Sequence, residues 1–240
     1  MPDISNSEAI RSWATYDQAE TFGEEGDFAR QHLLNPVIFA LLGDVTDKRI
    51  LDAGCGQGYL CRLLAQKGAS VTGIEPAEGL YRYALQREEA ERRGVTYVQA
   101  DLSTCTDLEN SFDVVIANMV LMDIADYKAA IRNCIHALKG GGDFIFSLLH
   151  PCFEEPGAEW LRKGYVEVRE YLHEYVRPQT FGYLFHRPLS SYINLVIQEG
   201  CVLRQMVEPQ LSQELAQQIG NERDVSVPSF IVIHATRQSY

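Results

Sequence analysis

Short apolar runs alternate with helical stretches along much of this chain, and this order limits the folds that it can adopt. Five runs rich in β-branched residues predict strands, and they span 49–53, 70–75, 95–99, 112–117 and 143–149. The runs lack alternation between polar and apolar residues, which is typical of parallel strands covered on both faces. Because amphipathic helical stretches lie between them, we expect βαβ units in an α/β fold with a doubly wound, mostly parallel sheet.

The regular order of strands and helices is interrupted after Leu149. It resumes with a helix predicted over Leu189–Gln198, which is followed by strands near 202–207 and 229–235. A gap of about forty residues is long for a plain connection, and loops of that length usually act as lids or binding loops. We therefore expect one domain over residues 1–240, with leading helices at 1–45 and a cap at 151–188 inserted after strand five.

Two helix boundaries carry local signals. Asn35 and Pro36 are typical of a helix cap and a first turn, and they predict a helix that ends at Gly43. A later helix over 127–138 is predicted to stop at the glycines of 140–142. Both helices would cover the sheet.

The charge of the chain disfavours several classes of partner. Its 21 Lys and Arg stand against 33 Asp and Glu, a formal net charge of −12, whereas nucleic-acid binding usually needs a surplus of cations. No window approaches the length of about eighteen apolar residues that a membrane span needs, and the first residues do not resemble a signal peptide. We therefore expect no nucleic-acid partner, no membrane association and a cytoplasmic location.

The six cysteines show no metal-binding or redox pattern. No two of them form a Cys-x-x-Cys pair, and most lie in apolar runs, where a thiol behaves as a small buried hydrophobe. No cluster of carboxylates or histidines requires a metal. We expect neither a metal centre nor a disulfide framework.

The strongest local signal is a strand that runs into three alternate glycines and then into a helix. These are Gly54, Gly56 and Gly58, and glycine lets a ligand approach the backbone closely. Glu75 ends the next predicted strand, where an acidic side chain can accept both ribose hydroxyls of a nucleoside. A dinucleotide fingerprint would place its third glycine at the position of Tyr59, so a nicotinamide-dependent oxidoreductase is disfavoured.

An acidic residue before these glycines completes a family pattern. Asp52 to Gly58 read Asp-x-Gly-x-Gly-x-Gly, which resembles the first motif of the class I S-adenosylmethionine-dependent methyltransferases. The segments that are similar to later motifs of that family span 74–76, 99–102, 112–118 and 138–142. The resemblance implies a Rossmann-like, seven-stranded sheet whose last strand is antiparallel. It also implies S-adenosylmethionine as cofactor, with S-adenosylhomocysteine as product.

The resemblance further implies roles for individual residues. The residues expected at the methionine part and the ribose of the cofactor are Gly54, Gly56, Gly58 and Glu75. Asp101 and the backbone of Leu102 would read the adenine. Asn118 would lie near the methionine carboxylate or the acceptor. Asp52 would face the cofactor's amino group through a water, or would instead cap the local backbone.

The first function hypothesis is methyl transfer by in-line displacement to an oxygen, nitrogen or carbon of a small metabolite. Family members that methylate amide or nucleobase nitrogens often carry Pro-Pro-aromatic after the strand-four Asn or Asp, whereas Met119 and Val120 follow Asn118 here. This favours a small aromatic or apolar acceptor, handled by a monomer or a homodimer. The alternative is a cofactor-binding scaffold or regulatory subunit without turnover.

Two residues are candidate general bases, because each follows a predicted strand at the sheet edge where this architecture places its chemistry. His150 follows strand five, and an imidazole titrates near neutral pH without special tuning. Asp123 follows strand four. A hydrogen-bonded structural role is the alternative for His150.

The segment 151–192 holds nine of the 24 aromatic residues and could close over the acceptor. Tyr183 or Phe185 is expected to line the acceptor pocket, and His186 is a neighbouring candidate. In the leading helix, Trp13 and Tyr16 are expected to cover the site. Packing within the cap and within the leading helix is the alternative reason for these aromatic residues.

Overall fold

The strands of the protein form one large sheet and one small hairpin. The computed structural model describes residues 4–13, 23–108, 110–153, 160 and 162–239. Its strands are β1 (Arg49–Ala53), β2 (Ser70–Ile74), β3 (Thr96–Val98), β4 (Phe112–Asn118), β5 (Leu138–Leu149), β6 (Tyr175–Pro178), β7 (Tyr183–His186), β8 (Cys201–Val207) and β9 (Phe230–Arg237). In the described part of the chain, the large sheet has seven strands in the order β3-β2-β1-β4-β5-β9-β8, and β6 pairs with β7.

The direction of pairing confirms the predicted sheet. Strand β1 pairs in parallel with both β2 and β4, β2 pairs in parallel with β3, and β4 pairs in parallel with β5. Strand β9 is antiparallel to both β5 and β8, so the last strand of the chain is the one that runs against the others. The chain order reverses between β1 and β4, which creates the switch point at which open α/β sheets bind ligands.

Helices cover the two faces of the large sheet. They are α1 (Asn6–Trp13), α2 (Asn35–Leu42), α3 (Tyr59–Gln66), α4 (Glu78–Glu91), α5 (Tyr127–Ala137), α6 (Leu189–Gln198), α7 (Gln213–Ile219) and α8 (Arg223–Ser226). Among the described residues, none of these helices combines the length and the apolar character that a membrane crossing requires.

Successive residues of a strand pack into two separate hydrophobic cores. Leu51 and Phe144 pack in a cluster with residues of α5 and α6. Ile50 and Ile145, which are their chain neighbours, pack in a second cluster with residues of α2 and α3. Because a strand points alternate side chains to opposite faces, continuous apolar runs are the pattern that such a two-sided sheet needs.

The two predicted helix boundaries have mixed outcomes. Helix α2 ends at Leu42 with Gly43 as its C-cap, in agreement with the predicted end, but Asn35 is not its N-cap: a turn of π-helix over Arg30–Leu34 runs directly into the helix. The side chain of Asn35 is buried and bonded to distant groups instead. Helix α5 ends at Ala137, and β5 begins before the glycines of 140–142, because Leu138 already pairs with Phe112 of β4.

The segment between β5 and α6 contains the β6–β7 hairpin, where the sequence predicted an inserted cap. Its two strands pair from Tyr175 with His186 to Pro178 with Tyr183. The hairpin is separate from the large sheet in its hydrogen bonding. It contacts the main domain next to the 3₁₀ turn Leu121–Asp123, which follows β4.

Candidate functional site

A cavity opens at the carboxyl ends of β1, β2 and β4, next to the glycine loop. It encloses about 1030 Å³ of empty space, open solvent at its mouth included. The residues predicted for the site that line it are Trp13, Asp52, Gly54, Gly56, Glu75, Asp101, Leu102, Asn118 and Asp123. The fold thus brings residues from six separate segments to the position at which open α/β sheets bind ligands.

The three positions of the loop need glycine for different structural reasons. Each has a positive φ, which is 79° at Gly54, 55° at Gly56 and 82° at Gly58. A Cβ added at Gly54 would overlap the side chain of Val120, and one at Gly58 would overlap the Tyr97 hydroxyl. A Cβ added at Gly56 would have no atom of another segment within 4 Å. Gly56 therefore borders open cavity space, whereas Gly58 packs on Tyr97 at the start of α3.

Two buried carboxyl groups lie at this loop. The Glu75 carboxyl accepts hydrogen bonds from the Gly56 N–H at 3.0 Å and the Ala77 N–H at 2.8 Å. Burial nevertheless raises the pKa of Glu75 to about 7. Asp52 accepts from the Cys61 thiol at 3.1 Å, and burial raises its pKa to about 6. A cation bound in the cavity would favour the charged form of both groups.

The turn after β3 offers the cavity an acceptor and a donor on neighbouring residues. The Asp101 carboxyl accepts from the Ser103 N–H at 2.8 Å, and Asn6 Nδ2 lies 3.3 Å from both of its oxygens. Leu102 follows it, and no described residue accepts a hydrogen bond from the Leu102 N–H. The Asn6 amide also accepts from the Asp126 N–H at 2.8 Å, which ties α1 to the start of α5.

A chain of buried polar groups that the sequence did not predict fixes the Asn118 amide. Tyr59 Oη donates to Asn35 Oδ1 at 3.2 Å and accepts from Asn118 Nδ2 at 2.8 Å. Asn118 Oδ1 accepts from the Ser147 hydroxyl at 2.7 Å, and Asn35 Nδ2 donates to the Glu25 carbonyl at 2.8 Å. The signal in the sequence was Tyr59, an aromatic residue at the position where a dinucleotide fingerprint has glycine. Its hydrogen-bond partners could not be predicted, because they are distant along the chain.

The Asp123 carboxyl lines the cavity from the 3₁₀ turn after β4. Within the described part of the chain, no group donates a hydrogen bond to it. Burial is the main reason that the pKa of Asp123 is raised to about 8. The negative charge of Glu75 also raises this pKa, whereas the positive charges of Arg30 and Arg187 lower it. A partner-free carboxyl with a raised pKa on a cavity wall has the properties of a general base.

His150 lies at the carboxyl end of β5, as predicted, but it does not line this cavity. Its Nδ1 accepts from the Cys152 N–H at 3.3 Å, so its proton belongs on Nε2, which lies 3.0 Å from Glu208 Oε1. The His150 ring also packs on Phe153. These contacts match the structural alternative for His150.

Phe185 and His186 line a second groove rather than the main cavity. The groove lies between the β6–β7 hairpin and the first turn of α1, and it shares Asn6 and Asp101 with the main cavity. The His186 ring stacks on Tyr175 at 4.4 Å between ring centroids. The two predicted cap residues therefore border the site without facing the glycine loop.

The other aromatic candidates have separate positions. Trp13 lines the main cavity from α1, and the turn of the hairpin packs on it, since a Cβ added at Gly182 would overlap the Trp13 indole. Tyr183 lines neither the cavity nor the groove, as far as the described residues define them. Tyr16 lies outside the described residues.

The cavity wall carries an excess of acidic groups. Its charged residues are Arg30, Asp52, Glu75, Asp101 and Asp123. The one guanidinium among these described lining residues is already paired, since Arg30 NH1 lies 2.5 Å from Asp27 Oδ2. The wall therefore suits a ligand with positive charge better than one with negative charge.

Comparisons with known proteins agree with this geometry. Residues 51–146 match the family model described as "Methyltransferase domain". The ubiquinone biosynthesis O-methyltransferase of Idiomarina loihiensis is 36% identical over 131 residues, which cover 52% of this chain and 54% of that protein. The protein of the same name from Saccharophagus degradans is 30% identical over 167 residues, which cover 66% of this chain and 71% of that protein. The chain spans about half the length of the first of these curated relatives.

A solved structure extends the similarity to most of the fold. The S-adenosylmethionine dependent methyltransferase from Mesorhizobium loti superposes with a TM-score of 0.77 and 27% identity, covering 90% of this chain and 100% of that chain. The similarity in sequence thus accompanies three structural features of this chain. These are the order of its strands, its glycine loop and its acidic residues after β2 and β3. This chain belongs to the class I S-adenosylmethionine-dependent methyltransferases.

Proposed function

We propose that the protein transfers the methyl group of S-adenosylmethionine to an oxygen of a small aromatic or apolar acceptor. The observation that carries the proposal is the cavity wall, where four carboxyl groups and one paired guanidinium surround the glycine loop. S-adenosylmethionine carries a net positive charge and fits such a wall. A nicotinamide dinucleotide carries two negatively charged phosphates, which an acidic wall disfavours.

The polar groups at the cavity also suit a nucleoside. The Asp101 carboxyl and the Leu102 N–H supply the acceptor and the donor that an adenine edge needs. Each Glu75 oxygen accepts one backbone hydrogen bond and has a second lone pair for a ribose hydroxyl. The open space at Gly56 supports close approach of the amino-acid part. For Gly58, the proposed role is only to begin α3.

The role of the protein in the reaction is to hold two reactants in line. The cofactor, when bound, supplies a methyl group that its sulfonium has already activated, and near-attack alignment can contribute on the order of 7–11 kcal/mol. Asp123 would take the proton of an acceptor hydroxyl. It can do so only when ionised, and a neighbouring positive charge favours that form. His150 has no place in this step, because its ring nitrogens face Cys152 and Glu208.

The choice of oxygen follows the curated relatives, which are named O-methyltransferases. Three observations support the hairpin and α1 as a cover over the acceptor: Trp13 lines the cavity, the hairpin turn packs on Trp13, and Phe185 borders the adjoining groove. The alternative of a scaffold without turnover lacks a comparable observation, whereas the Asp123 carboxyl lies on the cavity wall without a hydrogen-bond donor among the described residues.

The test is calorimetry of the intact protein with S-adenosylmethionine, S-adenosylhomocysteine and NAD, alongside thermal melts. We expect both sulfur nucleosides to bind and NAD not to bind, with about 2.7 kcal/mol of added stability at a ligand concentration one hundred times the Kd. Glu75→Ala should weaken binding of the nucleosides by about 1.5–3 kcal/mol, the range for hydrogen bonds to a charged group. Exposed Glu78→Ala is the control. Binding of NAD alone, or equal affinity in Glu75→Ala, would contradict the assignment.

A further inference from the structure

Arg187 is a buried cation at the point where the β6–β7 hairpin returns to the main domain. It directly follows β7, and only 4% of the residue is exposed. No carboxylate of the described residues forms an ion pair with it. Its guanidinium instead lies 4.1 Å from the centroid of the Tyr127 ring and 5.1 Å from that of the Phe185 ring. A buried charge that forms no ion pair with a described carboxylate is costly, so its hydrogen bonds must offset that cost.

The hydrogen bonds of Arg187 converge on the turn that follows β4. NH2 donates to the Ile124 carbonyl at 2.8 Å and to the Ala125 carbonyl at 3.0 Å. NH1 donates to the Leu121 carbonyl at 3.3 Å and to the Tyr192 hydroxyl at 3.3 Å. Three carbonyls on both sides of Asp123 are therefore bonded to one planar side chain, which presents its donors in a fixed fork.

The bonded turn is also the one that carries the Asp123 carboxyl to the cavity. Its own internal support is small: the Asp123 N–H donates to the Val120 carbonyl at 2.9 Å, and the 3₁₀ turn spans three residues. Short 3₁₀ turns have poorer hydrogen-bond geometry than α-helices. Arg187 therefore adds support to the backbone of this turn from outside it.

We propose that Arg187 is a positioning residue for Asp123, which it holds in the cofactor cavity by clamping the carbonyls of Leu121, Ile124 and Ala125 from the end of the hairpin. The catalytic meaning of this clamp rests on the proposed function, whereas the clamp itself does not. The clamp also couples the inserted hairpin to Asp123, because a movement of β7 moves the Arg187 guanidinium and with it the turn that carries Asp123.

The charge of Arg187 has a second consequence for the same carboxyl. The charged groups that face Asp123 are Arg30 from the segment before α2, Glu75 from the end of β2, and Arg187 from the hairpin. Arg187 lowers the pKa of Asp123 against the effect of burial, so it keeps more of the carboxyl ionised near neutral pH. Loss of the charge should raise the midpoint of the Asp123 titration.

The experiment uses two readouts that need neither turnover nor a known acceptor. Carbon-13 NMR of aspartate-labelled protein follows the Asp123 titration, which Asp123→Asn identifies. Hydrogen exchange follows the amides of the turn. In Arg187→Gln we expect the Asp123 midpoint to rise, and the turn amides to exchange at least about tenfold faster than in the wild type, as for a segment that opens locally.

Arg223→Gln is the matched control. Arg223 is also buried, with 8% exposure, and it donates to the Phe153 carbonyl at 2.7 Å at the other end of the same insertion. Its loss should lower the melting temperature without changing the Asp123 midpoint or exchange in the turn. If Arg187→Gln changes neither readout, or if Arg223→Gln changes both as much, the clamp is refuted.

Arg187→Lys separates the charge from the fork. A lysine retains the positive charge but cannot reach three carbonyls from one point, so the Asp123 midpoint should return toward the wild type while the turn still exchanges fast. Restoration of slow exchange by lysine would refute the role of the planar fork. Calorimetry of the wild type with S-adenosylhomocysteine stands apart from these readouts: its failure would overturn the proposed function and leave the clamp intact.

Discussion

The buried carboxyl of Glu75 should make the stability of the ligand-free protein fall as the pH rises. Its pKa is raised from an ordinary value of 4.5 to about 7. The folded state therefore holds the proton more tightly than the unfolded chain, so between these two pH values unfolding releases protons and rising pH favours it. Each pKa unit corresponds to about 1.4 kcal/mol, so the loss attributable to Glu75 is on the order of 3 kcal/mol.

Glu75→Gln removes this titration and replaces it with a fixed cost. The glutamine amide can accept from only one of the two N–H groups of Gly56 and Ala77, which leaves the other unpaired at a cost of about 1–3 kcal/mol. At pH 5 the variant should therefore be less stable than the wild type. At pH 8 the wild type has lost the contribution of its proton, so the difference should vanish or reverse.

The assay is urea unfolding of both proteins without ligand at pH 5, 6, 7 and 8. Asp113→Asn is the control, because Lys139 lowers the pKa of this carboxyl and keeps it ionised over the whole range. The free-energy difference between the wild type and that control should not change with pH. A difference between the wild type and Glu75→Gln that is the same at pH 5 and pH 8 would refute the reasoning.

Two further substitutions test the packing around the site. Gly58→Ala should lower the free energy of unfolding by about 2 kcal/mol or more in urea, because it adds overlap with the Tyr97 hydroxyl to the cost of a positive φ, which is about 1–2 kcal/mol. Gly94→Ala has a similar φ of 82° and open space, so an equal loss there would exclude the overlap. Tyr59→Phe should cost about 1–3 kcal/mol, since it leaves buried amides of Asn35 and Asn118 short of a partner. Its control is Tyr97→Phe, which removes only a long contact of 3.4 Å, and an equal cost for both would contradict the network.

The parallel sheet and the position of its main cavity could be predicted from the sequence because both depend on local, repeated patterns. A buried parallel strand needs a short apolar run, and predicted and observed bounds agree at 49–53 and differ by a residue or two at the next three strands. The glycine loop is equally local, since each of its glycines has a positive φ. Glu75 could be placed at the cavity because the ends of parallel strands meet at one edge of the sheet, whereas Asp101 was placed there by the family resemblance.

The individual contacts of the site could not be predicted in this way. Asn35 carries the local signal of a helix cap, yet its amide is bonded to Tyr59 and to the Glu25 carbonyl. His150 has the chain position of a base, yet its ring turns toward Glu208. In both cases the choice among side-chain partners was made by residues far away along the chain.

The sequence alone is enough to predict the alternating strands and helices of the large sheet, the family and the edge of the sheet at which the main cavity opens. Two features emerge only after folding: Asp123 faces the cavity with no hydrogen-bond donor among the described residues, and Arg187, 64 positions later, bonds the carbonyls around it. The two kinds of feature differ in how far along the chain the interactions that set them extend. Backbone conformation depends on neighbouring residues and on burial, whereas the hydrogen bonds and the pKa of a buried group depend on atoms that approach it only after the chain has folded.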